Sequence, residues 1–319
     1  MKPSCGPEAV TGLVYRRMAV IGCGLIGSSV IRAAREAVAV GEIAVADASE
    51  VARERIIALG LAEEVYADPA AAVAGADLIV FATPVMAMGE AAKAAASAMA
   101  PGATITDVGS VKAAVAEMLT GAAPAGVHVI PGHPIAGTEQ SGPDAGFAEL
   151  FRNRWIILTP RAGGDADYQA AVVRLTAFWT ALGANVEEMD ERHHDLVLAV
   201  TSHLPHLIAY NIVGTAADLE EVTQAEVMKY SAGGFRDFTR IAASDPTMWR
   251  DVFLSNREAV LDVLGRFTED LQALSRAIRW GEGDKLFELF SRTREIRRGI
   301  ISAGQESAEP NFGRDRGKH

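Results

Sequence analysis

His133 stands between Gly132 and Pro134 in Gly132-His133-Pro134-Ile135-Ala136-Gly137-Thr138-Glu139-Gln140-Ser141-Gly142, flanks that predict a shaped loop and not a helix face. A neutral imidazole so placed can accept a proton. Two more, His203 and His206, lie three apart in Thr201-Ser202-His203-Leu204-Pro205-His206 and share a helix face bent by Pro205. Metal binding would need a third ligand, and no H-E-x-x-H or C-x-x-C spacing accompanies them. Hydrogen-bonded imidazoles within a helical core are the plainer expectation, with no metal. Gly233-Gly234-Phe235-Arg236-Asp237-Phe238-Thr239-Arg240 precedes Asp245-Pro246-Thr247-Met248-Trp249-Arg250-Asp251. Glycines beside arginines fit either an anion site or a salt-bridged surface loop, and spacing alone leaves both open.

A different chemistry is written in Gly22-Cys23-Gly24-Leu25-Ile26-Gly27, a G-x-G-x-x-G between the strand-like Met18–Ile21 and a helical stretch from Ser28 to Ala37. Gly22 permits the tight turn, Gly24 lets a pyrophosphate approach the backbone, and Gly27 allows close helix–strand contact. The helix start, from Leu25 and Ile26 onward, offers free N–H groups to phosphate. Asp47 closes the next strand-like run and can accept from two ribose hydroxyls while repelling a 2′-phosphate. Ala48, Ser49 and Glu50 follow, with no nearby arginine expected to receive a phosphate, so NAD is expected over NADP, with FAD the chief competitor.

The elements that must position these residues follow from the pattern. Met18–Ile21, Ile43–Ala46, Leu78–Ala82, Thr104–Asp107, Val127–Ile130 and Trp155–Leu158 are continuous apolar runs separated by helical segments, which describes a parallel sheet covered on both faces. Asp107-Val108-Gly109-Ser110-Val111-Lys112 and the His133 segment both follow such runs, where open α/β sheets bind ligands. Beyond about Glu187 the periodicity is helical, over Asp195–Thr215, Glu220–Tyr230, Met248–Trp280 and Lys285–Ile301. The fold class expected is therefore α/β: a Rossmann-type doubly wound parallel sheet over 16–188, then an all-helical part over 189–303. Residues 1–15 and 304–319 read as flexible ends.

Composition agrees. Of 319 residues, 49% are hydrophobic and 22% charged, an ordinary globular balance. Thirty Lys and Arg against 41 Asp and Glu give a net charge of −11, which disfavours binding to nucleic acid. The longest stretch free of charge, Leu196 to Ala217, contains two imidazoles and a proline and reads as a site-lining helix, not a membrane span. No export signal is evident, so a cytoplasmic location is expected. Helices of this kind commonly pair across a two-fold, so a homodimer is expected.

Together GCGLIGSS, DVGSVK, GHPIAGTEQSG, TSHLPH and GGFRDFTRIAASDPTMWRD, in that order from about Met18 to Ile301, resemble the prephenate/arogenate dehydrogenase family. The resemblance implies NAD-linked oxidative decarboxylation of a cyclohexadienol in tyrosine biosynthesis, on a nucleotide-binding domain followed by a helical dimerisation domain. It implies that His133 is the catalytic histidine, that Ser110 orients the hydroxyl and the imidazole, and that Arg240 binds a substrate carboxylate. Glu139, His206, Gly233 and Trp249 are similar to residues around the same pocket. With the chain ending soon after the helical part, no regulatory ACT domain and no fused chorismate mutase is expected. Glu139 is a candidate partner for an ammonium group, leaving prephenate and arogenate both open. Activity is expected to fall as pH drops through the His133 pKa, near the reference of about 6.5. The alternatives are a β-hydroxyacid dehydrogenase and a non-catalytic NAD-binding regulatory protein. The first commonly relies on a helical-domain lysine, and neither Lys229 nor Lys285 lies in a glycine-rich helix start.

Overall fold

The computed structural model describes residues 12–223 and 233–302. Its main sheet has six parallel strands: β1 (Tyr15–Ile21), β2 (Val40–Ala46), β3 (Glu64–Tyr66), β4 (Leu78–Phe81), β5 (Thr104–Asp107) and β6 (His128–Val129). They lie in the order β3-β2-β1-β4-β5-β6, the doubly wound order whose direction reverses between β1 and β4. Alternation along each strand supplies two cores. Met18, Val20, Leu78 and Val80 point to one face, against Val30 and Ile31 of α1 (Leu25–Glu36) and Leu175, Phe178 and Trp179 of Ala166–Ala181. Ala19, Ile21, Ile79 and Phe81 point to the other, against Met88 and Ala92 of Val85–Ala95 and Val115 and Leu119 of Ala113–Ala122. Burial on both faces is why these strands read as unbroken apolar runs. Each fully buried large side chain contributes roughly 1.5–3 kcal/mol.

Several expectations are corrected. Trp155–Leu158 does not join the parallel sheet; as β8 it lies in a second sheet between β7 (Gly132–Pro134), antiparallel to it, and β9 (Asn185–Glu188), parallel to it. His133 therefore sits in a short strand opposite Ile157, not in a loop. The apolar reading misses β3 and β9 because they are short and only half-covered. Tyr15, assigned by sequence to the loose leader, opens β1 and is buried, its ring edge-on to Phe178 and beneath Arg174.

The helical run Glu191–Leu219, which contains the charge-free stretch, is long and apolar enough by length and composition to cross a membrane. It runs from α2 (Glu191–Leu198) through a π turn, Ala199–His203, into α3 (Leu204–Thr223). Pro205 lacks the N–H that would close a regular turn onto Thr201, which accounts for the widened turn. The expected helix Glu220–Tyr230 falls largely outside the described residues. Met248–Trp280 is two helices, Pro246–Ser255 and Arg257–Trp280, broken at Asn256. By compactness the chain divides after Val260. The unit beyond it carries the rest of that second helix and Gly283–Ser302, with Leu271, Ile278, Trp280, Phe287 and Phe290 exposed.

Candidate active site

The glycine-rich turn lies at the switch point. Gly22, at φ +87°, is packed so closely that a Cβ would stand 2.9 Å from the Ala82 backbone. At Gly27 a Cβ would come within 2.4 Å of the Gly22 carbonyl oxygen, whereas at Gly24 it would meet nothing within 4 Å. Two glycines thus close the turn and the third faces open space. The start of α1, through Leu25 and Ile26, has no side-chain cap and no acid in its first turn, so its amides remain available to an anion. Asp47 follows β2 and accepts from Cys23 N and Ser49 N, each at 2.9 Å, which fixes the carboxylate beside the turn. Sequence reading overlooked Arg53, which reaches back to donate to the Asp47 and Ala48 carbonyls at 2.8 and 3.0 Å. Burial pushes the Cys23 thiol up to about 12, so it is inert.

Beyond β5, the Asp107–Lys112 turn is pinned to the start of β7. Lys112 Nζ donates to Asp107 Oδ2 and, at 2.7 Å, to the Gly132 carbonyl, while Asp107 also accepts from Gly109 N and Gly132 N. Both side chains are wholly buried. Burial pushes Asp107 up and Lys112 down, and each draws the other back towards its charged form. This pair sets Ser110, half-buried in the turn, and His133 in one frame, with the Ser110 backbone facing His203.

His133 Nδ1 lies 2.8 Å from His194 Nε2, and His194 Nδ1 lies 2.8 Å from Asp195 Oδ1. Asp195 also accepts from Lys112 N at 2.7 Å and Ala113 N at 3.0 Å, capping the helix Ala113–Ala122 that has no side-chain cap of its own. Burial, aided by His194, Lys112 and His203, holds His133 well below the ordinary histidine range, and burial also lowers His194. Both imidazoles are neutral near neutrality. The acid limb expected near 6.5 is thereby moved down.

His203 is buried, and Asn256 Nδ2 donates both to its Nδ1 at 3.0 Å and to the Asp195 carbonyl at 2.8 Å. Burial takes His203 down to about 4. His206 stacks on Trp249 at 3.6 Å between ring centroids and donates from Nδ1 to the Ser202 carbonyl. Trp249 is held by Pro246–Ser255, whose start Asp245 caps through Met248 N. Arg240, whose charge helps lower His206, pairs with Glu139 at 3.3 Å, both side chains partly exposed. Gly233 opens an exposed helix, and a Cβ there would meet only Asp237, at 4.0 Å; no described contact joins it to the histidines. The residues missed by sequence are His194, Asp195 and Asn256. Only the adjacent His193-His194-Asp195 triplet signals any of them.

The segment after His133 returns over α1. A Cβ on Gly137 would lie 4.0 Å from Ile26, Phe147 N donates to Ser29 Oγ, and Arg55 grips Asp144 through Nε and Nη2. A glycine-rich turn with uncapped amides follows β1, and a neutral buried imidazole stands in the strand tied to the end of β5. That combination defines the class: a dinucleotide-linked dehydrogenase. The prephenate dehydrogenase nucleotide-binding domain model matches residues 30–188, and the prephenate dehydrogenase dimerization domain model matches residues 190–292. The chain belongs to the prephenate dehydrogenase family. Over 284 residues it is 43% identical to the cyclohexadienyl dehydrogenase of Zymomonas mobilis, covering 89% of this chain and 96% of that one. The crystal structure of prephenate dehydrogenase from A. aeolicus in complex with hydroxyphenyl propionate and NAD+ matches with a TM-score of 0.82 at 31% identity, over 89% of this chain and 98% of that one. Synechocystis arogenate dehydrogenase matches with a TM-score of 0.73 at 26% identity, over 89% and 99% of the respective chains.

Proposed function

We propose that the chain catalyses NAD-dependent oxidative decarboxylation of prephenate, arogenate or both, giving 4-hydroxyphenylpyruvate or tyrosine. The observation that carries this reading is His133: a neutral, buried imidazole whose following segment reaches the start of α1, after the turn that fits a dinucleotide. NAD, when bound, supplies the hydride acceptor. Gly24 and the start of α1 would hold its pyrophosphate, and Asp47 would hold its ribose. His133 accepts the ring hydroxyl proton as the carbinol carbon is oxidised, with Ser110 orienting the hydroxyl; loss of the ring carboxylate as CO2 leaves the aromatic product. Arg240 grips a substrate carboxylate. Because Glu139 is its present partner, that carboxylate must compete with Glu139. His206 and Trp249 form an aromatic wall, and Gly233 borders the pocket.

In this reading 16–188 is the nucleotide-binding domain and 189–303 the helical domain through which two cytoplasmic copies pair. The dimerization-domain match and the exposed apolar residues beyond Val260 support the pairing. NADH formation at 340 nm with prephenate and arogenate, each with NAD and NADP, tests the activity. Turnover with NAD is expected, and none despite measurable NAD binding would leave a non-catalytic nucleotide-binding role. His133→Asn should lower mainly kcat, whereas Arg240→Gln should raise mainly KM.

A further inference from the structure

The hydrogen bonds around His194 determine which nitrogen of His133 carries a proton. Asp195 accepts from two backbone N–H groups, on Lys112 and Ala113, and offers His194 only acceptor oxygens. His194 Nδ1 must therefore be the donor in that contact. In the neutral ring its Nε2 is then a lone pair, and His133 Nδ1, 2.8 Å away, must be the donor to it. His133 Nε2 is left unprotonated, and among the described residues no group hydrogen-bonds it.

We propose that His194 and Asp195 are positioning residues that lock His133 in its Nδ1–H tautomer, presenting a bare Nε2 to the substrate hydroxyl and taking up the charge that develops on the ring. This rests on His133 being the base. When Nε2 gains the hydroxyl proton, the Nδ1 proton moves towards His194 Nε2. His194 keeps its Nδ1–H on Asp195, so the positive charge comes to rest beside a carboxylate. Asn256 supports the arrangement by holding the Asp195 carbonyl. The titratable groups facing His133 are His194 from α2, Lys112 from the turn after β5 and His203 from the π turn, with Asp195 behind His194 and Asp107, at the end of β5, behind Lys112.

Side-chain nitrogen NMR of the full-length protein reads the tautomer directly. His133 should show a protonated Nδ1 and an unprotonated Nε2; the opposite pattern overturns the proposal. His194→Phe removes the acceptor and should lower kcat about 10²-fold or more, with KM and the NAD Kd within about threefold. His194→Gln keeps an acceptor near the Nε2 position and should recover part of that loss. Asp195→Asn takes away the carboxylate beside which the positive charge comes to rest and should lower kcat; because it also disturbs a helix cap, its NAD Kd and Tm are measured alongside. Should it fail to fold, the wild-type spectrum and the His194 pair still decide. An inactive His133→Asn beside a His194→Phe that keeps kcat within threefold would sink the relay alone. A fully active His133→Asn would instead remove the base it serves.

Discussion

At the scale of single residues, environment sets the chemistry of His133 more than its sequence neighbours do. An exposed histidine would be half-protonated near 6.5, but burial and the Lys112 charge disfavour the protonated form. A lowered pKa keeps the base competent in more acid solution, and protonation below that pKa removes it. The acid limb of kcat/KM should accordingly fall clearly below pH 6.5, and a limb at or above 6.5 would contradict the burial. Cofactor choice is likewise local. In the proposed reading Asp47 would repel a 2′-phosphate, and Arg53 lies against the same turn. Asp47→Ser should weaken NAD and raise the NADP/NAD ratio of kcat/KM at least tenfold; an unchanged ratio would remove Asp47 from cofactor selection. His133 and Asp47 were legible in the sequence because glycines and strand ends frame them. His194 and Asp195 were not, because their role depends on the capping of a helix about eighty residues earlier.

At the scale of elements, positions are set where two pieces of backbone nearly touch. At Gly27 the wall is the Gly22 carbonyl, which cannot move without opening the turn. Gly27→Ala should therefore weaken NAD binding at least tenfold and lower Tm, whereas Gly24→Ala should alter NAD binding with little change in Tm. Asn256 is the counterpart among the helices. Periodicity ran one helix through it from Met248 to Trp280, since apolar residues recur on both sides. The break turns its amide onto Asp195 and His203, a contact no local pattern encodes. Asn256→Ala leaves His203 Nδ1 without its donor, while the Asp195 carbonyl keeps the Ala199 N–H; it should cost about 1–3 kcal/mol, read as a lower urea midpoint. An unchanged midpoint would mean that the break is held by something else. The doubly wound sheet was readable because β4 and the buried ends of β1 and β2 are apolar runs. The β7-β8-β9 sheet was not, because Gly-His-Pro and Asn-Val-Glu-Glu carry no such signal.

At the scale of the whole molecule, several neutral histidines are folded into one region, which makes stability depend on pH. The unfolded chain binds protons at these sites below about 6.5, while the fold holds His203 neutral down to about 4. This stabilising difference is complete above 6.5 and is lost as pH falls from 6.5 towards 4. For His203 alone it amounts to roughly 3 kcal/mol, and His133, His194 and His206 act in the same direction. The urea midpoint should begin to drop at pH 6.5, well before the carboxylates titrate; a midpoint constant down to pH 5 would refute it. Sedimentation at micromolar concentration should give a dimer, and a monomer would leave the exposed apolar residues beyond Val260 without that partner.

Asp195 spends its oxygens on two amide protons, those of Lys112 and Ala113, as well as on His194. Those amides are fixed reporters wired to the carboxylate. Their proton resonances should lie downfield and exchange slowly with solvent deuterium, and should shift whenever positive charge arrives on the adjoining imidazole. The first turn of a helix far from the ligand in sequence thereby becomes a built-in probe, able to follow occupancy of the pocket without a label or a chromophore.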